Sequence, residues 1–466
     1  MSKKLNLEYV LLGAIVLFGI FLRIYRLGVP PFWIDEGIST LASLNILDKG
    51  IPLLDSGVLY GRAYLFHYVQ AFFLLFGNND FWARFPSVIF GVLTIFLAYF
   101  IGREYSKSGG IISALFMSVF YLEVFFSRQA RFYQLFQLMF FLSIYLLYKS
   151  KDNPKWLYLS LISLFITINI QIAGLILAPF FIVHILIYSK KWEKYLSILP
   201  GLYLFYQLLP TKKYASDSTV SAINYFRKYA SQTSNMIYVL ILFIPGVIWG
   251  FVKKKRLTLL LVVPSIILLI GIFALKTFAL RYAYFFVFPL VLYSSLLISF
   301  LYEKYGKIML ITIAILLIIP SNLFFPHTYV NMINPIDYNY NDYSAPEINL
   351  KEIPLELKKE LISNKLLCLF SPSVERYIKK PDYVFPFSMT GIGNDDISYE
   401  NELGEIVDVY SGAKISTQRP EGKYYVIGDY YSWSKLKPTQ REEFDQIIKD
   451  CVVSYENKDL KIYLCE

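Results

Sequence analysis

Apolar runs long enough to cross a lipid bilayer recur along the first 326 residues, and nothing else in the sequence constrains the fold as much. They lie at about 9–27, 85–102, 109–126, 132–149, 156–170, 172–188, 194–209, 236–252, 257–275, 282–300 and 307–325. A hydrocarbon layer about 30 Å thick needs roughly 20 apolar residues per crossing, and only helices or closed barrels satisfy their own backbone there. The chain therefore reads as a polytopic α-helical membrane protein of about eleven spans. One further run, 64–76, is too short to cross. It reads as a helix lying in the outer interface, with His67, Gln70, Arg62 and Asn78 suiting a surface position.

The basic residues orient this array. With the N-terminus in the cytoplasm and 64–76 left out of the count, inner loops collect Arg103 and Lys107, then Lys149, Lys151 and Lys155, then Lys190, Lys191 and Lys194. Lys253, Lys254, Lys255 and Arg256 follow, and then Lys304 and Lys307. If 64–76 crossed, every one of these clusters would face outward, against the positive-inside bias. An odd number of spans puts the C-terminus outside. The net charge of +10 is thus absorbed by topology, and no nucleic-acid motif accompanies it. The apolar N-terminal run lacks a small-residue cleavage site and reads as a retained first helix.

After Pro326 the character changes. Residues 327–350, rich in Asn, Tyr and Pro, read as a linker, and 351–466 as a small extracytoplasmic α/β domain. Strand-length runs lie at 366–370, 383–387, 406–410, 424–427, 452–455 and 460–464. A helix is expected over 439–449, opened by Thr439 with Glu442 three residues on. The last two strands read as a hairpin turning near Lys458, which sets Cys451 opposite Cys465. An outer compartment permits that disulfide. Cys368 is left over, no Cys/His spacing resembles a structural zinc site, and His184 and His327 receive no role.

One long outer loop, 28–84, begins Pro30-Pro31-Phe32-Trp33-Ile34-Asp35-Glu36-Gly37. The prolines end the first helix. Two adjacent carboxylates follow at the membrane surface, expected on a loop. Other outer loops bring Arg128, Arg131 and Tyr133, then Lys212 and Lys213, then Arg281 and Tyr282. Guanidinium forks grip phosphate, a carboxylate takes a proton from a hydroxyl, and an aromatic-rich wall (39 Tyr, 39 Phe) can hold a hydrocarbon tail. Glycosyl transfer from a lipid-phosphate-linked sugar needs all three. Asp35 would accept the acceptor proton, with inversion at the sugar carbon. The blander account is also open: solvated loop acids, arginines paired with lipid headgroups, and tyrosines in an interfacial belt. Arg281, flanked by apolar sequence, most needs a partner.

Taken in order, the motifs resemble a known family. After the first helix come Trp33-Ile34-Asp35-Glu36. Phe76-Gly77 closes the surface helix, and Ala83-Arg84-Phe85-Pro86-Ser87 opens a helix ending Gly102-Arg103. Ser127-Arg128-Gln129-Ala130-Arg131-Phe132-Tyr133 follows, and later Arg281-Tyr282 with Pro289. Over about 5–325 this is similar to the GT-C glycosyltransferases, specifically the protein O-mannosyltransferase and aminoarabinose-transferase-like group. The resemblance implies a polyprenyl- or dolichyl-phosphate sugar donor, an extracytoplasmic site, and a catalytic acid residue carried to Asp35 with Glu36 beside it. It places Arg128, Arg131 and Arg281 on the donor phosphate. Tyr133 and Tyr282 lie in the same motifs, and Arg62 and His67 serve as supporting residues. Lys212 and Lys213 are phosphate contacts on position alone. The chain departs from the family at Tyr60-Gly61-Arg62-Ala63-Tyr64, where a Pro-Pro sequence is common, and its tail does not resemble a β-trefoil. The acceptor is a hydroxyl on protein, glycan or glycolipid. Divalent metal is left open as a cofactor and no residues are assigned to it. The rival reading is a lipid or sugar transporter, which would carry ionisable groups near the bilayer midplane. The sequence places them on the outer loops.

Overall fold

In the computed structural model of the chain, the residues described are 7–208, 237–274, 280–306, 348–386, 398–401 and 403–466, with isolated residues at 309, 312 and 315. The expected spans at 307–325 and the end of 194–209, Lys212 and Lys213, and most of the linker lie outside them.

The helices follow the apolar runs. They are α1 Leu7–Ile24, α2 Ile34–Lys49, α3 Tyr64–Leu74, α4 Asp80–Arg103, α5 Lys107–Val119, α6 Tyr121–Phe126, α7 Tyr133–Lys149, α8 Lys155–Ile170, α9 Ala178–Tyr188, α10 Ile198–Leu208, α11 Ile237–Ala274 and α12 Val287–Tyr305. By length and composition, four described helices can cross a membrane: Leu7–Ile24, Asp80–Arg103, Val239–Ile272 and Arg281–Tyr305. The expected run 109–126 is broken at Phe120, whose extended backbone separates α5 from α6. Lys254 leaves helical geometry inside α11. A Cβ on Gly250 would lie 3.0 Å from Thr258, an approach no straight helix allows between residues two turns apart. The chain folds back there, so 236–252 and 257–275 are separate helices as the sequence implies. α11 then packs against α12 so closely that a Cβ on Gly246 would clash with the Tyr293 carbonyl oxygen, a small-residue crossing of the kind membrane helices use.

The outer loop departs from expectation. Asp35 and Glu36 do not sit on a loop; they open α2. Ile34, Ile38, Leu41, Ala42 and Ile46 recur at helical spacing and are buried. Glu36 closes the N-terminus by accepting from the Trp33 N–H at 3.3 Å. Gly50 ends the helix at φ 78°, where an L side chain would be strained. α3 supplies the helix expected at 64–76, ending two residues sooner.

The C-terminal region forms one mixed eight-stranded sheet in the order β3-β4-β5-β2-β1-β6-β8-β7. Its strands are β1 Lys365–Cys368, β2 Tyr383–Val384, β3 Ser398–Glu400, β4 Ile406–Asp408, β5 Lys414–Ile415, β6 Tyr424–Asp429, β7 Val452–Glu456 and β8 Leu460–Cys465. β3 and β5 are too short to have stood out in the sequence. The domain's helices are α13 Leu355–Ser363, α14 Ser371–Tyr377, α15 Tyr430–Lys435 and α16 Pro438–Ile448. The cap of α16 is not Thr439 with Glu442. Lys437 is the N-cap, Pro438 fills the first position, and the Gln440 side chain accepts from the Lys437 N–H at 3.0 Å. β7 pairs antiparallel with β8, placing Val452 opposite Leu464, and Cys451 is bonded to Cys465.

Two large cores result. One lies among the apolar helices, and the other fills the C-terminal domain. Ile34, Ile38 and Ala42, one stripe of α2, belong to the second. The helix that carries Asp35 is therefore packed into the domain that follows the linker.

Candidate active site

Asp35 and Ser39 lie one turn apart on one face of α2, with the Ile34 stripe on another. The Asp35 side chain is 23% exposed, the least buried member of its cluster. Its Oδ2 faces Arg131 Nη2 at 3.5 Å, Arg281 Nε at 3.9 Å and the Tyr133 hydroxyl at 3.4 Å. None of these is a tight contact, so the carboxylate is attracted but not locked.

Arg131 is aimed by the 127–132 turn. Its Nη1 donates to the Asp35 carbonyl at 3.1 Å, to Ser39 Oγ at 2.5 Å and to the Tyr60 hydroxyl at 3.0 Å. The guanidinium also covers the Phe132 and Tyr133 rings. Burial opposes its charge, but Tyr60, Tyr133 and Asp35 outweigh this and hold its pKa well above the usual arginine value. Arg281 lies over the Trp33 ring at 5.4 Å and the Tyr282 ring at 5.2 Å. Asp35, Arg131, Tyr133 and Arg281 are thus brought together from three separate stretches, with Tyr282 under Arg281.

Glu36 points elsewhere, and this corrects its expected catalytic place. It is fully buried and takes a fork from Arg84: Nε to Oε1 at 2.8 Å and Nη2 to Oε2 at 2.8 Å. The Ala130 N–H adds a contact at 2.6 Å. With Trp33 N–H as well, both oxygens are filled, and no room is left for a substrate. Arg84 also donates to the carbonyls of Leu27, Pro30 and Pro31. Glu36 therefore ties α2, α4 and the 127–131 turn together. Arg128 is likewise engaged elsewhere. Its Nη1 donates to the carbonyls of Leu22, Arg23 and Tyr25, capping the end of α1.

His67 is buried, with Nδ1 3.2 Å from Ser43 Oγ and its ring edge-on to Tyr60. Burial first, then Arg131, pull its pKa down to about 3. It stays neutral through the working range and serves as packing for Tyr60. Arg62 is exposed on the segment leading into α3.

Several residues carry more than the sequence suggested. Arg84 could have been found by the logic applied to Arg281: a cation opening an apolar helix needs a partner. Glu123, fully buried on α6, accepts from Gln137 at 2.8 Å and from the Tyr284 hydroxyl at 2.8 Å, and so braces the segment after Arg281. Tyr60 had no signal beyond being a tyrosine near a turn. Among the described residues, no group of three or more His, Cys, Asp or Glu is placed to hold a metal.

A sequence model of the family described as dolichyl-phosphate-mannose-protein mannosyltransferase matches residues 62–211. The fold then decides the comparison. ArnT from Cupriavidus metallidurans superposes with a TM-score of 0.65 over 98% of this chain and 97% of its own, at 10% identity. The fold is that of a GT-C glycosyltransferase. ArnT solved bound to undecaprenyl phosphate superposes with a TM-score of 0.58, at 10% identity and with the same coverage of each chain. The oligosaccharyltransferase of Archaeoglobus fulgidus gives 0.57 over 94% of this chain and 70% of its own, at 11% identity. No curated protein matches the chain by sequence. The resemblance to the GT-C group read from the motifs is borne out by the fold and by the family model over residues 62–211.

Proposed function

We propose that the chain transfers a glycosyl group from a polyprenyl- or dolichyl-phosphate-linked sugar to an acceptor hydroxyl on the extracytoplasmic face, with inversion. The observation that carries this is the loosely held Asp35 carboxylate, partly exposed and faced by two guanidiniums from different outer segments. Without donor, Asp35 balances Arg131 and Arg281 and keeps them in place. When donor binds, its phosphate takes over the two guanidiniums and Asp35 is released for proton transfer. The acceptor oxygen bonds to the anomeric carbon as the bond from that carbon to the phosphate oxygen breaks. The electron pair leaves with polyprenyl phosphate, where Arg131 and Arg281 stabilise the growing charge. The hydroxyl proton passes to Asp35. Tyr133 orients the carboxylate.

The relative's undecaprenyl phosphate and the family's dolichyl-phosphate donor support a lipid-phosphate donor here. The acceptor class spans protein, glycan and glycolipid hydroxyls. A transporter draws no support from the comparisons. The test is release of free polyprenyl phosphate by purified protein from a panel of polyprenyl-phosphate sugars, with candidate acceptors and divalent metal supplied. One donor should be consumed. Arg131→Met should slow that release by roughly 100- to 1,000-fold, the loss typical of one transition-state charge partner. No release from any donor would reject the proposal.

A further inference from the structure

The Asp35 turn is held from two sides. Below it, Arg84 grips the carbonyls of Leu27, Pro30 and Pro31. Above it, the C-terminal domain does the same work. Lys351 Nζ donates to the carbonyls of Gly28 at 2.8 Å and Pro30 at 3.1 Å, and forms an ion pair with Asp80 at 2.6 Å. The Tyr377 hydroxyl accepts from the Phe32 N–H at 2.7 Å and donates to Asp80 Oδ2 at 2.7 Å. Arg376 reaches Asp80 Oδ1 at 3.2 Å and covers the Phe32 ring, which the Arg84 guanidinium and the Tyr377 ring also contact.

Asp80 opens α4 and is 5% exposed, so three donors from a domain more than 270 residues downstream converge on one buried carboxylate. Packing agrees with the polar contacts. Ile34, Ile38 and Ala42 sit in that domain's core, and a Cβ on Gly37 would lie 3.5 Å from the Pro372 carbonyl oxygen at the start of α14. The proline pair supplies carbonyls but no N–H groups, so the turn has few internal bonds and depends on outside donors. Burial and then Asp80 hold the Tyr377 phenol well above its usual pKa, so it remains a donor throughout the working range.

We propose that the C-terminal domain is a positioning element of the catalytic centre, in which Tyr377, Lys351 and Arg376 act through Asp80 and the 28–33 turn to set Asp35 against Arg131 and Arg281. This rests on the glycosyl-transfer reading above. The domain is thereby built into the reaction site and is not an appended module. Its donors never touch substrate. They fix the angle at which α2 presents Asp35, and an error of about 1 Å there is enough to cost on the order of 100-fold in rate.

The test uses the full-length protein in detergent, with two readouts. Tyr377→Phe keeps the ring and removes both hydrogen bonds. Lys351→Met removes the second set of donors. Hydrogen exchange of peptides covering 28–36 reports the turn directly, without reference to activity. Polyprenyl phosphate release reports kcat and the donor KM. Each variant should speed exchange of the 28–36 amides and lower kcat by roughly 10- to 100-fold, with the donor KM unchanged because Arg131 and Arg281 remain. Arg419→Ala, which breaks the exposed ion pair with Asp450 in the same domain, should alter neither. Unchanged exchange in Tyr377→Phe and Lys351→Met would overturn the clamp. Faster exchange with unchanged kcat would overturn the positioning role, as would an equal kcat loss in Arg419→Ala. A wild-type protein that releases no polyprenyl phosphate would overturn the functional reading and the positioning role with it, while the exchange result still decides the clamp.

Discussion

Removing Arg84 should be among the most damaging single changes around the Asp35 cluster. Glu36 is fully buried and the Arg84 side chain is 2% exposed. In Arg84→Met the carboxylate keeps only the Ala130 and Trp33 N–H groups, and the carbonyls of Leu27, Pro30 and Pro31 lose their common donor. Taking one partner from a buried ion pair costs about 3–5 kcal/mol, because an uncompensated charge stays behind. Glu36→Gln removes that charge and keeps most of the shape, so it should cost less. The double variant should cost less than the sum of the singles, with a coupling of about 2 kcal/mol. The assay is reversible unfolding in mixed detergent micelles for the four proteins of the cycle, with donor turnover measured alongside. Glu36→Gln should retain turnover within about tenfold, the level expected when only placement is disturbed. Additive single effects, or an Arg84→Met cost below about 1 kcal/mol, would refute the buried-pair argument. A Glu36→Gln protein that is folded but has lost turnover altogether would refute the assignment of Glu36 to structure.

Three further outcomes follow from the geometry. Reducing the Cys451–Cys465 bond, which spans 14 residues, should cost about 3 kcal/mol on the loop-entropy account; titration of the unfolded, unreduced protein should find one thiol, Cys368, and finding three would exclude the bond. The Glu375 carboxyl is pushed up to about 9 by burial and then by the neighbouring Asp55 carboxyl, against the pull of Lys380. The folded protein thus holds a proton that the unfolded chain releases in the ordinary carboxylate range, so stability should fall as pH rises from that range towards 9. Glu375→Gln should flatten that decline in thermal unfolding midpoints, and an unchanged slope would reject the raised carboxyl pKa. Gly246→Ala forces a methyl into the Tyr293 carbonyl and should separate α11 from α12, costing about 1–3 kcal/mol; a wild-type unfolding midpoint would show that the crossing has room for a methyl.

Much of the architecture was legible because it follows from solvent. Apolar runs and proline stops answer to the bilayer, and each can be counted along the chain. The Cys451–Cys465 pair was legible from a hairpin centred near Lys458, although the strands reach that register only through an irregularity between Val453 and Tyr455. α2 was hidden because its Ile34, Ile38 and Ala42 stripe is buried against a domain that begins after the linker, and a sixteen-residue helix of mixed composition looks like a polar loop until that partner is known. The division of labour between Asp35 and Glu36 was hidden for the same reason. Adjacent residues on a helix point about 100° apart, so one faces the cluster of Arg131 and Arg281 while the other faces Arg84. Arg128 and Arg131 show the same split across a tight turn, one capping α1 and the other reaching Asp35. Motif position singled out the 127–133 segment but could not say which of its side chains would face Asp35.

The central claim is that Asp35 takes the acceptor proton. The most direct measurement is single-turnover release of polyprenyl phosphate by wild type, Asp35→Asn and Asp35→Glu with the donor identified from the panel, together with the donor's dissociation constant for each. The account predicts that Asp35→Asn binds donor at least as tightly as wild type, since both guanidiniums are freed for the phosphate, yet releases product at least 100-fold more slowly, in line with loss of a general base. Asp35→Glu should restore part of the rate. Asp35→Asn turning over at the wild-type rate would contradict the account.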